Sequence, residues 1–524
     1  MFSKSITRIA QKKTSITILM VILIMLAFLN RFIQDDAFIS FRYARNLAEG
    51  HGLVWNPGEK PVEGYTNFLW TVIMVVPHVI GMDAIVFSWL LGLLFYGGTL
   101  VMSWSLSMVL FKSKALSLLT LLLLGTNYTF SCYATGGLET QMQTFLITAV
   151  TYLSLVIVMN GRWSPIGLTG LSLIASAAVL TRPDSVVPLA AIAFFILGTI
   201  IKGTIAPPRK ALYLTCLLVP GASILASYGI WKLSYYGTLI PNTFHAKVSS
   251  VASLEQGIRY ILLFFQSYRL IPFIFLIPFL GRQLLQKTRF LIFPGSIIIL
   301  WLLYIASVGG DFMEFRFMVP VLPLMFILIS SVVFVIRQQA IRSALVLMIC
   351  AGSLVHAVTF HYTSGIESIG SLQSHLTADH ENWILIGKKL KDFFAGCEKE
   401  VTLATTAIGA IGYYSTLRII DMHGLTDEYI ARRGKIIDSR PGHSKLAPLS
   451  YLKKQNTTLV LGHPDLLQSS KDASRGSCNS PSASDLIKYP IDNNAPIVRI
   501  PITDQRVLKA LYLDTNRCVE KVSD

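Results

Sequence analysis

Long apolar runs, each closed by a polar or basic loop, recur along the first 360 residues. Residues 16–29 contain a single polar position, Thr17, and comparable runs follow at 84–111, 115–130, 138–159, 164–180, 186–201, 211–231, 260–280, 290–308, 317–336 and 343–360. A membrane-spanning helix needs about 20 predominantly apolar residues, so the pattern predicts about eleven spans. Residues 67–80 are apolar too, but short and interrupted by Pro77 and His78; they predict a helix lying in the membrane interface. A second helix is expected just after Asp36, where Ala37, Phe41, Ala44, Leu47 and Ala48 share one side and Arg42, Arg45, Asn46 and Glu49 the other. From residue 361 the pattern changes. Residues 381–394 carry helical spacing (Trp383, Ile384, Ile386, Leu390, Phe393), and "EVTLAT", "LRIID", "TTLVLG" and "APIVRIPI" are short β-rich runs bounded by turn residues. The expected organisation is an α-helical polytopic membrane part over 1–360, followed by a small α/β domain over 361–524. A Ser-rich stretch at 468–484 is expected to be a mobile loop.

Composition supports the membrane reading. The 524 residues are 53% hydrophobic and 14% charged, where a soluble chain carries about a quarter charged residues. A cleaved signal peptide does not account for the N-terminus, because many further spans follow and no A-x-A site precedes them. The net charge of +16 does not point to nucleic acid, since the basic residues lie in short loops, where they set topology. Lys4, Arg8, Lys12 and Lys13 place the N-terminus in the cytoplasm, and alternation then puts the tail on the outer face. The six cysteines show no CxxC or Cys/His metal spacing, so zinc is not expected; Cys397, Cys478 and Cys518 leave room for one disulfide in the tail.

The outer loops hold the chemistry. Asp35 and Asp36 are adjacent at the predicted start of the helix that follows the first span. A helix N-terminus favours negative charge, which explains one aspartate and leaves the second. Two neighbouring carboxylates raise the pKa of at least one, as a general base for a hydroxyl requires; a divalent cation held by both is the other use. The same loop brings Trp55, Glu63 and Tyr65, aromatic faces beside a carboxylate that suit a sugar, or a plain aromatic belt at the headgroups. Later outer loops hold Arg182 and Asp184 in "TRPD", read as a local ion pair, then Asn242, His245 and Lys247, then Asp311, Glu314 and Arg316. Basic groups there could pair with a lipid phosphate or simply snorkel.

Five stretches, in order along most of the chain, now carry a resemblance. They are "DDAFISFRYARNLAEGHGLVWNPGEKPVEGYTNFLW", "LTRPDS", "YYGTLIPNTFHAK", "GGDFMEFRFMVPVLP" and "AIGYYSTLRIIDMHGLTDEYIAR". Together they resemble the GT-C glycosyltransferases, most of all bacterial relatives of the terminal arabinofuranosyltransferases. The resemblance implies a GT-C-like membrane enzyme of the bacterial inner membrane. It would take a sugar, such as the pentose arabinofuranose, from a polyprenyl-phosphate donor and pass it with inversion to a surface glycan or glycolipid. It implies an acidic base in the first outer loop: Asp35 is expected in that role, with Asp36 orienting it or holding a cation, and no cofactor is required. On their chemistry, Asn242, His245, Lys247 and Arg316 are the candidates for the donor. Trp55, Glu63, Tyr65, Asp311, Asp421 and His423 are those for the acceptor, with a structural role equally open for the last two. The composition, rich in Ile, Ser and Lys, points to lipopolysaccharide or another surface glycan as acceptor. An O-antigen polymerase or ligase would depend on late basic and histidine residues instead. A transporter would need polar groups at mid-depth, and a scaffold would leave the acidic pair without a task.

Overall fold

Every apolar run of the first 360 residues forms helix in the computed structural model, which describes residues 2–203, 206–247, 254–361, 363, 365–437, 443–468 and 497–513. Among these residues, seven helices are long and apolar enough to cross a membrane: Ala84–Phe111, Thr140–Asn160, Pro183–Lys202, Pro207–Tyr236, Arg289–Val308, Arg316–Val335 and Gln339–Thr359. Ile16–Leu29, Lys114–Gly125 and Pro165–Thr181 are apolar but shorter. The run expected at 260–280 is broken: Leu254–Ser267 and Ile271–Gln286 meet at 92°. Arg269 adopts φ 56 at that corner, and Pro272 at the start of the next helix cannot donate to the preceding turn. The expected interfacial helix at 67–80 is likewise two pieces, Phe68–Ile73 and Val75–Ile80, because Pro77 cannot bond to Ile73 and its ring crowds that carbonyl.

The tail builds a six-stranded sheet: β1 Thr402–Thr405, β2 Arg418–Asp421, β3 Leu459–Gly462, β4 Leu466–Gln468, β5 Ile497–Thr503 and β6 Arg506–Tyr512. β1 lies parallel to both β2 and β3, while β3, β4 and β5 each pair antiparallel with β6. Four strands fall on the predicted β-rich runs; β4 and β6 were not foreseen. The predicted helix spans Trp383–Phe393 and is capped by Asn382, whose side chain accepts from the Leu385 amide at 3.1 Å. Cys397 is disulfide-bonded; Cys478, Cys518 and nearly all of the Ser-rich stretch lie outside the described residues.

The sheet does not own its core. Leu403, Ile408, Ile411 and Ile386 from the tail pack in one cluster with Phe38, Phe41, Trp55 and Trp70 from the segment that follows the first apolar helix. Helix Asp35–Ala48 therefore has no solvent face of the kind its sequence implied. Arg42 and Asn46 are buried. The Arg42 guanidinium donates to Trp55 O (2.9 Å), Gly412 O (2.5 Å), Leu417 O (2.9 Å) and Asn56 Oδ1 (2.9 Å), which meets its need for acceptors inside protein.

Candidate active site

The tail docks on the acidic pair. Helix Gly409–Ser415 follows β1 directly, and its first amides, Gly409 N (2.9 Å) and Ala410 N (2.8 Å), donate to the two carboxylate oxygens of Asp35. Burial pushes the Asp35 carboxyl up to about 6, although both amides pull it down. Asp36, one residue on, accepts no hydrogen bond and forms no ion pair among the described residues. Burial raises its pKa as well, with Lys247 and then Arg316 opposing the shift.

Two cavities meet at Asp36. The larger, about 460 Å³, lies between the segment that follows the first apolar helix and the tail. Thr406, Ala407, Met422, His423, Gly462 and His463 line it; each sits at or just past the carboxyl end of β1, β2 or β3. That edge of a parallel sheet is where ligands bind in α/β folds. The smaller, about 50 Å³, reaches toward the ends of the membrane helices and is lined by Tyr65, Asn67, Glu139, Arg182 and Arg316 among others. Asp36 and Lys247 line both.

Most charges around the smaller cavity are already paired. Arg182 bonds Glu139 (2.8 Å) and Asp184 (2.6 Å), so the expected local ion pair is present and extended. Glu139 occupies the N-cap position of helix Thr140–Asn160 but makes no cap bond; its second oxygen accepts from Asn67 Nδ2 at 2.7 Å. Arg316 Nε bonds Asp311 at 2.6 Å, leaving both Nη groups without a partner among the described residues. Lys247 has no hydrogen-bond partner among them either. Burial lowers the pKa of its ammonium, while the Asp36 carboxylate works the other way.

Several expected site residues serve as structure. Trp55 Nε1 donates to Ile419 O at 3.1 Å, and its ring lies 4.4 Å from the Arg42 guanidinium. Glu63 pairs with Lys232 at 2.7 Å. Asn242 Nδ2 donates to Gly424 O (2.9 Å) and Leu425 O (3.0 Å), clasping its loop to the tail. His245 lines neither cavity, and its carbonyl accepts from Lys445 Nζ at 2.8 Å. Asp311 is taken by Arg316. Asp421 organises its own turn, accepting from His423 N (2.8 Å) and Thr426 N (3.0 Å); burial nevertheless holds its carboxyl at about 6. Asp36, Lys247, Arg316, Tyr65 and His423 do face a cavity, and Tyr65 Oη also meets Tyr236 Oη at 2.9 Å.

A set of cavity residues was not foreseen as part of a site: Glu367, His375, His443, His463 and Asp465, with Trp383, which was read only as a helix position. No local spacing joins residues so far apart. Each Asp35 oxygen already accepts one backbone amide, while the Asp36 oxygens have no bonded partner among the described residues. Among the described residues, the side chains grouped so that they could hold a metal ion are His375, Glu381 and His463.

Residues 378–495 match a family described as a domain of unknown function (DUF8728). The terminal β-(1→2)-arabinofuranosyltransferase of Mycobacterium tuberculosis is 27% identical over 49% of this chain and 42% of its own length. That of Corynebacterium glutamicum is 29% identical over 57% of this chain and 47% of its own. The chain thus spans less than half the length of these relatives. In three dimensions it resembles ArnT from Cupriavidus metallidurans, solved bound to undecaprenyl phosphate, with TM-score 0.55 at 13% identity over 95% of this chain and 98% of ArnT. The apo form of ArnT gives 0.52 at 12% identity over the same shares.

Proposed function

We propose that this chain, a multi-pass membrane protein with the GT-C fold and a relative of the terminal arabinofuranosyltransferases, moves a sugar from a polyprenyl-phosphate donor to a hydroxyl of a cell-surface glycan. Asp36 carries the reading. It is a carboxylate with no bonded partner among the described residues, raised pKa, and a cavity on either side. Such a group has the chemistry of a general base toward a hydroxyl. Asp35 is then the anchor and Asp36 the base, the reverse of the roles expected from the sequence.

In this reading the acceptor hydroxyl enters from the larger cavity and gives its proton to an Asp36 oxygen. The hydroxyl oxygen forms a bond to the anomeric carbon. The bond from that carbon to the phosphate oxygen breaks, and its electron pair leaves with the polyprenyl phosphate. A single displacement inverts the anomeric centre. Lys247 and the Nη groups of Arg316 are the cations available for the leaving phosphate, while His245 and Asn242 drop out. His423 and Tyr65 are the cavity residues left for orienting sugars. We assign residues 1–360 to the membrane part and 361–524 to a domain on its outer face. The N-terminus is then cytoplasmic and the tail periplasmic, at a bacterial inner membrane. The Cys397 disulfide supports an oxidising compartment for the tail. A pentose such as arabinofuranose is the donor sugar in keeping with the relatives, and lipopolysaccharide or another surface glycan the acceptor.

Asp36→Asn tests this. The asparagine keeps the shape and removes the base, so transfer is expected to fall by about 10²–10⁴-fold with unchanged unfolding temperature. A deletion strain should lack a terminal sugar that the wild-type gene restores and the variant does not. Full complementation by Asp36→Asn would overturn the assignment.

A further inference from the structure

The wall of the larger cavity carries groups that the transfer just described does not use. His375, in helix Ile369–Thr377, turns Nδ1 to a Glu381 oxygen, and its Nε2 lies 3.3 Å from Glu367 Oε2. The imidazole stacks on Trp383 at 4.8 Å and 6°. The other Glu381 oxygen is 3.7 Å from Nε2 of His463, in the turn after β3. One ligand atom from each of His375, Glu381 and His463 falls within 4.8 Å of the others. We propose that these three side chains bind a divalent metal ion of the zinc class, tying the turn after β3 to helix Ile369–Thr377 and to the turn that follows it.

Four features favour this. Two imidazole nitrogens and one carboxylate oxygen suit zinc and its neighbours, whereas calcium and magnesium take oxygen ligands. His375 is held from behind by Glu367, the carboxylate–imidazole arrangement that orients metal-bound histidines. Glu381 is buried and His375 mostly so, and both are already aimed at one point, so little ordering is needed there. His463 is half-exposed and free to close on the ion, and Asp465 Oδ1, 3.9 Å from its Nε2, is within reach as a fourth ligand. The competing state is a protonated His375 clamped between Glu367 and Glu381 with no metal at all.

The proposal is independent of glycosyl transfer, and its test does not use activity. The full chain, purified in detergent without a polyhistidine tag, would be stripped with EDTA and dialysed against zinc, magnesium or calcium. Expected are about one zinc per chain by plasma emission spectrometry and an unfolding temperature that rises on zinc addition. His463→Ala should weaken zinc binding at least roughly tenfold, the smaller end of what losing even an outer-sphere partner costs. His463 is exposed enough that the stripped variant should unfold where stripped wild type does. Glu381→Gln is a second variant for the same measurement. Failure of wild type to retain zinc, equal retention by wild type and both variants, or equal binding of magnesium would each overturn the site and leave the clamped imidazolium in its place.

Discussion

Gly409 is where the tail touches the acidic pair, and alanine there gives a prediction whose sign is informative. The residue opens helix Gly409–Ser415 and does not have a left-handed backbone. On propensity alone, Gly409→Ala should stabilise the helix by about 0.5–1 kcal/mol. Packing argues the opposite. A Cβ at 409 would lie 2.0 Å from the Asp35 carbonyl oxygen and 2.7 Å from its Cγ, against an ordinary contact of at least 3.4 Å. The two backbones would have to part by more than an ångström. That would carry the amides of Gly409 and Ala410 out of reach of the Asp35 carboxylate, from 2.9 and 2.8 Å. A hydrogen bond to a charged group contributes about 1.5–3 kcal/mol, so losing both, less the gain in propensity, leaves a net cost of about 2–5 kcal/mol. Movement on that scale also displaces Asp36, and a misplacement of about 1 Å costs about 10²-fold in rate. The assay is thermal unfolding of the full chain in detergent, followed by tryptophan fluorescence, beside transfer activity. Gly370→Ala is the control, since a Cβ there meets only Ser368 Oγ at 3.8 Å. A Gly409→Ala protein as stable as wild type, or more so, would refute the docking of the tail on Asp35.

Two further predictions concern charge. Lys247→Met should raise the KM for the lipid-phosphate donor by about 10-fold or more, as expected for loss of a charge-assisted hydrogen bond, and Lys247→Arg should recover part of it; an unchanged donor KM would remove Lys247 from the phosphate site. Asp35 and Asp421 are both held at about 6, above 3.8, so the folded chain keeps protons that the unfolded chain releases. This contribution to stability is full below 3.8 and is lost as pH rises through 6. Unfolding temperature should therefore fall over that interval and Asp421→Asn should flatten the fall, while transfer should rise with pH as Asp36 ionises.

What could be read from the sequence was what periodicity and local chemistry encode. The apolar runs, four of the six tail strands and the Arg182–Asp184 pair all depend on neighbours close in sequence. The break at Arg269 escaped because hydropathy continues across it; Pro272 was its one local signal. The polar side of helix Asp35–Ala48 was misread because amphipathicity reports contrast between two faces, not what covers the polar one. Arg42 is buried by carbonyls from residues 412 and 417, and nothing near position 42 announces them. The partners of Glu63, Asp311 and Asn242 could not be told from ligands for the same reason. A charged or amide group facing a buried carbonyl reads like one facing a substrate. The histidine cluster joins residues 375, 381 and 463, a spacing that only the folded tail brings together.

The adjacency of Asp35 and Asp36 has its own explanation in helix geometry. Consecutive positions on an α-helix point about 100° apart, so neighbours at a helix start serve different surroundings. Asp35 is directed at the first amides of helix Gly409–Ser415, where a carboxylate satisfies two donors that have no partner within their own helix. Asp36 is directed at the cavities and Lys247. One acid fixes the tail over the membrane part, and the wall it fixes encloses the other. Without the first, Asp36 would face open water and lose the burial that raises its pKa. Two charges that would repel in solution are tolerable here because one is satisfied by backbone donors and the other is free to take up a proton.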